Sequence, residues 1–277
     1  MKTILVPTDF SEASKNAIDY AVEMAKAAGA KLILFHAYHI PPTVVDAALI
    51  IPSPTELEED SMKTLRAIRS AVLTKPENKV LTIECVCAYG FAVDEITAHA
   101  EKTAADLVIM GMQGAGWLSE KLFGSITTDV MRKCKSPVLS IPEKTHFVIP
   151  RRIVFAYDYQ PLSASVLDPL AGLATQFNSM LFILNVSADH HTTEMHIKDT
   201  FRNIQVEEAL EETEHTFHYR TNEDLGDAIG RFVKRQQADM AVMIPKKHSF
   251  LANLFKEPAT KQAAFHIGVP LLTLPDK

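Results

Sequence analysis

No stretch of this 277-residue chain approaches the roughly eighteen consecutive apolar residues that a membrane-spanning helix needs, so no span is expected. Cysteine is scarce: the three present, an odd count, suit a reducing cytoplasm. Cys85 and Cys87 stand two apart in a strand-like run and share one face, which reads as core packing, and Cys134 shows no ligand partner. The net charge is −6 without polarisation, which leaves no basic footprint for nucleic acid. The amino-terminus opens directly on a strand pattern, so no signal peptide is expected. Metal-site spacing is missing too, since His190, His191 and His196 lack a cysteine or carboxylate to complete a tetrahedral set. The remaining balance, 47% apolar and 22% charged, suits one large or two medium globular domains.

The most informative segment present is Leu107-Val-Ile-Met-Gly111-Met-Gln-Gly114. A short apolar run rich in β-branched residues stops at a glycine, as a buried parallel strand does. Gly124-Ser125 follows, just before a helical pattern carried by Ile126, Val130 and Met131. Glycines let backbone N–H groups approach an anion, a helix N-terminus adds partial positive charge, and hydroxyls complete the shell. A Walker loop is excluded, because Gly116 is followed by Trp117 where lysine is required. A Rossmann fingerprint is excluded as well, because its glycines cluster after the first strand. At the amino-terminus, Ile4-Leu-Val-Pro7-Thr8-Asp9-Phe10-Ser11 reads as strand, turn and helix start. Ser11 is the expected N-cap, with Ile18, Ala21, Val22 and Ala25 on one helical face.

Together these segments resemble the universal stress protein family. Its ATP-binding members carry Gly-x2-Gly-x9-Gly-Ser/Thr after the fourth strand and open on a strand ending in Pro/Ala-x-Asp. The resemblance implies ATP, with Mg²⁺, as ligand. It places Pro7, Thr8 and Asp9 at a crevice and the main-chain amide and carbonyl of Ala37 against adenine. Gly111, Gly114, Gly124, Ser125, Ile126 and Thr127 then surround the phosphates. The chain departs from the pattern at Met112, Gln113 and Ala115, where many relatives carry Ser-His and a basic residue. A charge-assisted phosphate bond lost there is worth roughly 1.5–3 kcal/mol. Lys121, on the same loop, reads as an exposed lysine.

The chain repeats itself. Residues 4–9 correspond to 153–158 and Leu32-Ile-Leu-Phe to Leu181-Phe-Ile-Leu, both at an offset of 149. Asp94 pairs with Asp227, Asp106 with Asp239 and Pro137 with Pro270, all at 133, so the first copy carries 16 extra residues between its second and third strands. Each copy reads β-α-β-α-β-α-β-α-β. That alternation defines an α/β chain of two tandem, doubly wound, five-stranded parallel sheets, Rossmann-like and, by the resemblance, of adenine nucleotide alpha hydrolase type. The expected domains are residues 1–146 and 147–277. Helices are expected near 12–28, 55–74, 92–103 and 124–134, and strands near 2–7, 31–37, 79–88, 106–111 and 137–141. In the second copy Ile197, Phe201 and Ile204 mark the long helix. The strand order 3-2-1-4-5, implied by the resemblance, sets Asp9 and Gly111 across one crevice.

The copies differ where chemistry would sit. Ile244, Lys247, Glu257 and Pro258 stand opposite the first copy's glycines and Ser125. A carboxylate repels phosphate and a proline removes an N–H donor, so one nucleotide per chain is expected. The expected function is ATP-dependent sensing or regulation by a cytoplasmic protein, with a slow ATPase and a nucleotide-free interaction scaffold as the alternatives. No residue pair stands out for activating water. The fifth strands, residues 137–141 and 270–274, are expected to pair antiparallel as an intramolecular pseudo-dimer. The apolar insertion at 39–54 leaves homodimerisation of the whole chain open.

Overall fold

Short apolar runs alternating with amphipathic stretches build a βα chain from end to end. The computed structural model describes residues 1–40, 53–112, 125–157, 163–187, 204, 206–221, 225–245 and 268–275. The first half runs β1 (Thr3–Pro7), α1 (Glu12–Ala28), β2 (Lys31–Tyr38), α2 (Pro54–Thr74), a 3-10 turn (Pro76–Asn78), β3 (Ile83–Tyr89), α3 (Ala92–Lys102), β4 (Leu107–Gly111), α4 (Ser125–Lys133) and β5 (Val138–Ile141). The second runs β6 (Arg152–Tyr157), α5 (Ala164–Phe177), β7 (Met180–Ser187), α6 (helical over 206–209), β8 (His215–Thr221), α7 (Leu225–Gln236), β9 (Met240–Met243) and β10 (Leu271–Thr273). The ten strands among the described residues form one sheet in the order β3-β2-β1-β4-β5-β10-β9-β6-β7-β8. Each half is parallel, with its first strand between its second and fourth. The halves meet antiparallel, Leu271↔Ser140, Leu272↔Leu139 and Thr273↔Val138.

Local chemistry sets the boundaries that matter for the site. Ser11 caps α1 by accepting from the Ser14 amide, and Gly29, at φ 66°, ends the helix in the left-handed region. Ser53 and Glu56 form a capping box that starts α2. Strand residues alternate between two apolar layers. Ile4 and Val6 belong to the apolar layer that α1, α2 and α5 complete, whereas Leu5 belongs to the layer that α3, α4 and α7 complete. Cys85 and Cys87 pack against the first of these layers, as expected of strand residues two apart.

Three expectations need correction. β3 begins at Ile83 rather than residue 79, because Asn78 donates to the Val72 carbonyl at 2.9 Å and accepts from the Leu81 amide at 3.0 Å, which makes a tight turn of residues that read as strand. The offset is also wrong there by one. Leu32 pairs with Ile83 and Leu181 with His215, an offset of 132, so the first half's excess before the third strand is 17 residues, and one is regained before α7. Ile126 lies off the core stripe of α4 at 44% exposure, unlike Val130 and Met131. In the second long helix Ile204 is helical as expected, though 45% exposed, and Ile197 and Phe201 lie outside the described residues.

The aspartates of the repeat have a physical role. Asp106 Oδ2 accepts from the amides of Lys2 and Thr3 at 2.6 and 2.8 Å, and Asp239 Oδ2 accepts from Arg151 and Arg152 at 2.9 Å each. One carboxylate thus holds the start of the first strand of each half against its fourth strand. Asp239→Ala should cost about 2 kcal/mol, a discount on two charge-assisted bonds for partial exposure. Asp106→Ala should cost less, since Asp106 is exposed. Urea denaturation measures both, and an unchanged midpoint for Asp239→Ala would refute the role.

Candidate functional site

β1 and β4 lie side by side through Ile4↔Leu107 and Leu5↔Val108. The helices that follow them depart to opposite faces, which opens a crevice at the carboxyl ends of the strands. A cavity of about 190 Å³ occupies it. Pro7, Thr8, Asp9, Ala37, Gly111, Ser125, Ile126 and Thr127 line this cavity together. Gly114 and Gly124 lie outside the described residues, as do Gln113, Ala115, Lys121, Lys247, Glu257, Pro258, His190, His191 and His196.

Each lining residue is held by its neighbours. The Thr8 hydroxyl accepts from the Phe10 amide at 3.0 Å and lies 2.9 Å from the Ser14 hydroxyl. Ser14 itself donates to the Ser11 carbonyl, so the proton between the two hydroxyls comes from Thr8. The Ser11 hydroxyl donates to Asp9 Oδ1 at 2.6 Å, and the Ser11 amide does so at 3.1 Å. Burial pushes the Asp9 carboxyl up, but hydrogen bonding from Ser11, with smaller help from Ser14 and the Asp9 amide, outweighs it and holds the group below the ordinary carboxylate value. Asp9 is therefore an ionised acceptor at the mouth of the crevice. Thr127 is buried and donates to the Gly111 carbonyl at 3.2 Å, which ties the start of α4 to the end of β4.

Gly111 has a reason beyond anion approach. A Cβ placed on it would collide with the Ala13 carbonyl oxygen and lie 3.0 Å from the Ser14 nitrogen. The glycine lets the first turn of α1 rest directly on β4. Several lining residues carry no signal for the cavity in the sequence: Ser11 reads as a cap, and Ala13, Ser14, Phe35, Ala92, Ile96 and Met110 as core or helix positions. His36, by contrast, stands beside Ala37 at the position that the resemblance gives to adenine. His36 stacks on Phe10 with centroids 4.4 Å apart, and Phe35 stacks on His99 at 4.8 Å. Burial, with help from Lys102, holds the His99 imidazole below its ordinary pKa. The thiols are not poised for reaction: burial pushes Cys87 up to about 11 and raises Cys85 and Cys134 as well. Among the described residues no cluster of His, Cys, Asp and Glu is arranged to hold a metal ion, and no helix is long and apolar enough to cross a membrane.

A doubly wound parallel sheet, repeated in tandem and carrying a crevice where strand order reverses, defines a Rossmann-like α/β protein. The chain belongs to the universal stress protein family, whose model matches residues 1–142. A universal stress protein of Methanocaldococcus jannaschii is 28% identical over 149 residues, covering 50% of this chain and 81% of its own. One from Bacillus subtilis is 26% identical over 147 residues, covering 50% of this chain and 97% of its own. The solved structure of a universal stress protein from Archaeoglobus fulgidus DSM 4304 is 18% identical with a TM-score of 0.72, and covers 99% of this chain and 96% of its own. That last likeness extends the shared fold over both halves.

Proposed function

We propose that this chain is a cytoplasmic, ATP-binding regulatory protein in which residues 1–146 hold one nucleotide, with Mg²⁺, and residues 147–277 form a degenerate partner unit. The observation that carries the reading is convergence. The Ala37 main chain, the Asp9 carboxylate and the Ser125, Ile126 and Thr127 helix start all line one cavity at the switch point. The ionised Asp9 suits a sugar hydroxyl or a hard cation such as Mg²⁺. No lysine or arginine stands among the described lining residues, so phosphate charge calls for the metal ion and helix N-termini. The same lack favours retention and sensing over turnover, since phosphoryl transfer needs concentrated positive charge and an oriented nucleophile. In the second half Tyr157 and Asn185, both buried, stand where Thr8 and His36 stand in the first, which supports one site per chain.

Titration calorimetry with ATP and Mg²⁺ should report one site per chain, and Gly114→Val, which blocks backbone approach to phosphate, should abolish it. Two equivalent sites, or a Gly114→Val protein that binds like the parent, would reject the assignment. Sustained ATP hydrolysis would replace sensing with catalysis, and no affinity for any adenine nucleotide would favour the scaffold.

A further inference from the structure

The β1–β2 ladder stops one pair early at the crevice. In a parallel pair, alternate residues of a strand direct both N–H and C=O at the same neighbour. The Lys31 amide binds the Lys2 carbonyl and the Thr8 amide binds the Phe35 carbonyl, both at 2.8 Å, so Lys31, Ile33, Phe35 and Ala37 direct their main chains at β1. The next bond in that series runs from the Ala37 amide to the Thr8 carbonyl. Among the described residues it is not made: the pairing ends at Pro7↔Phe35, and the Thr8 carbonyl accepts from His36 Nδ1 at 2.7 Å. A carbonyl only accepts, so Nδ1 carries the proton. Phe10 covers the imidazole face at 4.4 Å and itself stands at φ 65°, a region that few bulky residues adopt.

The second half treats the same position differently. At an offset of 149 from His36 stands Asn185, whose Nδ2 donates to the Tyr157 carbonyl at 2.8 Å. Here the ladder runs one pair further, to Tyr157↔Asn185. The series starts with the Met180 amide on the Arg151 carbonyl, so the added pair engages the Val186 amide with the Tyr157 carbonyl. The amide equivalent to that of Ala37 is thereby taken.

We propose that His36 is a positioning residue that holds the first half's ladder open and leaves the Ala37 amide and carbonyl to the ligand. The rigid ring, fixed between Phe10 and the Thr8 carbonyl, turns that carbonyl out of the ladder. A smaller carboxamide offers Phe10 no comparable face and lets the carbonyl accept from both donors, as in the second half. This deepens the nucleotide reading and rests on it. The ligand is of a class that presents a ring nitrogen acceptor beside an amino donor, as the Watson–Crick edge of adenine does and that of guanine does not.

Amide hydrogen exchange on the full chain, followed residue by residue by NMR, tests the proposal together with ATP–Mg²⁺ titration. Without ligand, the Ala37 amide should exchange freely, and ATP should protect it. His36→Asn should slow that exchange at least tenfold without ligand and weaken ATP binding at least tenfold. Phe10→Ala should move both in the same direction by a smaller factor, which keeps the test open if one variant folds poorly. Asn185→His should leave ATP affinity unchanged. An Ala37 amide already protected in the free parent, or exchange that neither first-half variant alters, would overturn the role of His36. A parent chain that binds no adenine nucleotide would overturn the function instead, while the exchange comparison would still decide for or against His36.

Discussion

Gly111→Ala should destabilise the chain by about 2–4 kcal/mol, more than most single-methyl additions, and Gly111→Val by more still. The added Cβ would meet the Ala13 carbonyl oxygen and lie 2.5 Å from the Ala13 carbonyl carbon. Those atoms are backbone in the first turn of α1, so no side-chain rotation relieves the clash. The helix must lift from β4, yet it is fixed by Ala17, Ile18, Ala21 and Met24, all essentially buried. Ligand affinity should fall with stability, because Ser11, Ala13 and Ser14 line the cavity and move with the helix. Gly172 gives the control. It is exposed within α5 with nothing within 4 Å of a built Cβ, so Gly172→Ala should be stabilising by roughly 0.5–1 kcal/mol. Urea denaturation of the two variants compares them directly, and equal stability of Gly111→Ala and the parent would show that α1 does not rest on this glycine.

That glycine also marks where sequence reading stops. Its presence at the end of an apolar run was legible, and so was its place on the crevice. Its physical necessity was not, because the contact that demands it comes from Ala13, in a helix that only the fold brings to β4. Ser14 is a parallel case. In the sequence it is one polar residue in an amphipathic helix, and its pairing with Thr8 appears only once β1 and α1 are placed. The tandem organisation was legible for the opposite reason: apolar periodicity and the paired aspartates recur at fixed offsets, although the strand order itself came from the family resemblance. The one-residue error at β3 arose where Asn78 folds a turn out of residues with strand composition. His36 stands beside Ala37 at the position that the resemblance gives to adenine, but nothing local assigns its side chain a role. Only comparison with Asn185, after both ladders are traced, gives it a role.

Division of the chain between residues 146 and 147 should yield halves that reassociate when mixed and that self-associate or lose stability when kept apart. The reason is the seam. β5 and β10 are each the last strand of their half, and three residue pairs join them antiparallel. Val138, Leu139, Leu271 and Leu272 are at most 2% exposed in the whole chain. Separation leaves two strand edges with unpaired N–H and C=O groups beside apolar residues, a template for pairing with any complementary edge. Contacts away from the sheet reinforce the junction. Gln176 of α5 donates to the Ala28 carbonyl at the end of α1 at 3.1 Å, and Phe147 packs edge-on against Tyr20 at 5.2 Å. Each half keeps its own helix layers, so the expected loss per half is about 3–5 kcal/mol, less than full exposure of these side chains would give. If the seam also stiffens the crevice, the isolated first half should bind ATP more weakly than the whole chain, and addition of the second half should restore it. Sedimentation and calorimetry of the separate and mixed halves measure both effects. Two stable monomers without affinity for each other would leave the ten-stranded sheet without an energetic basis at its centre.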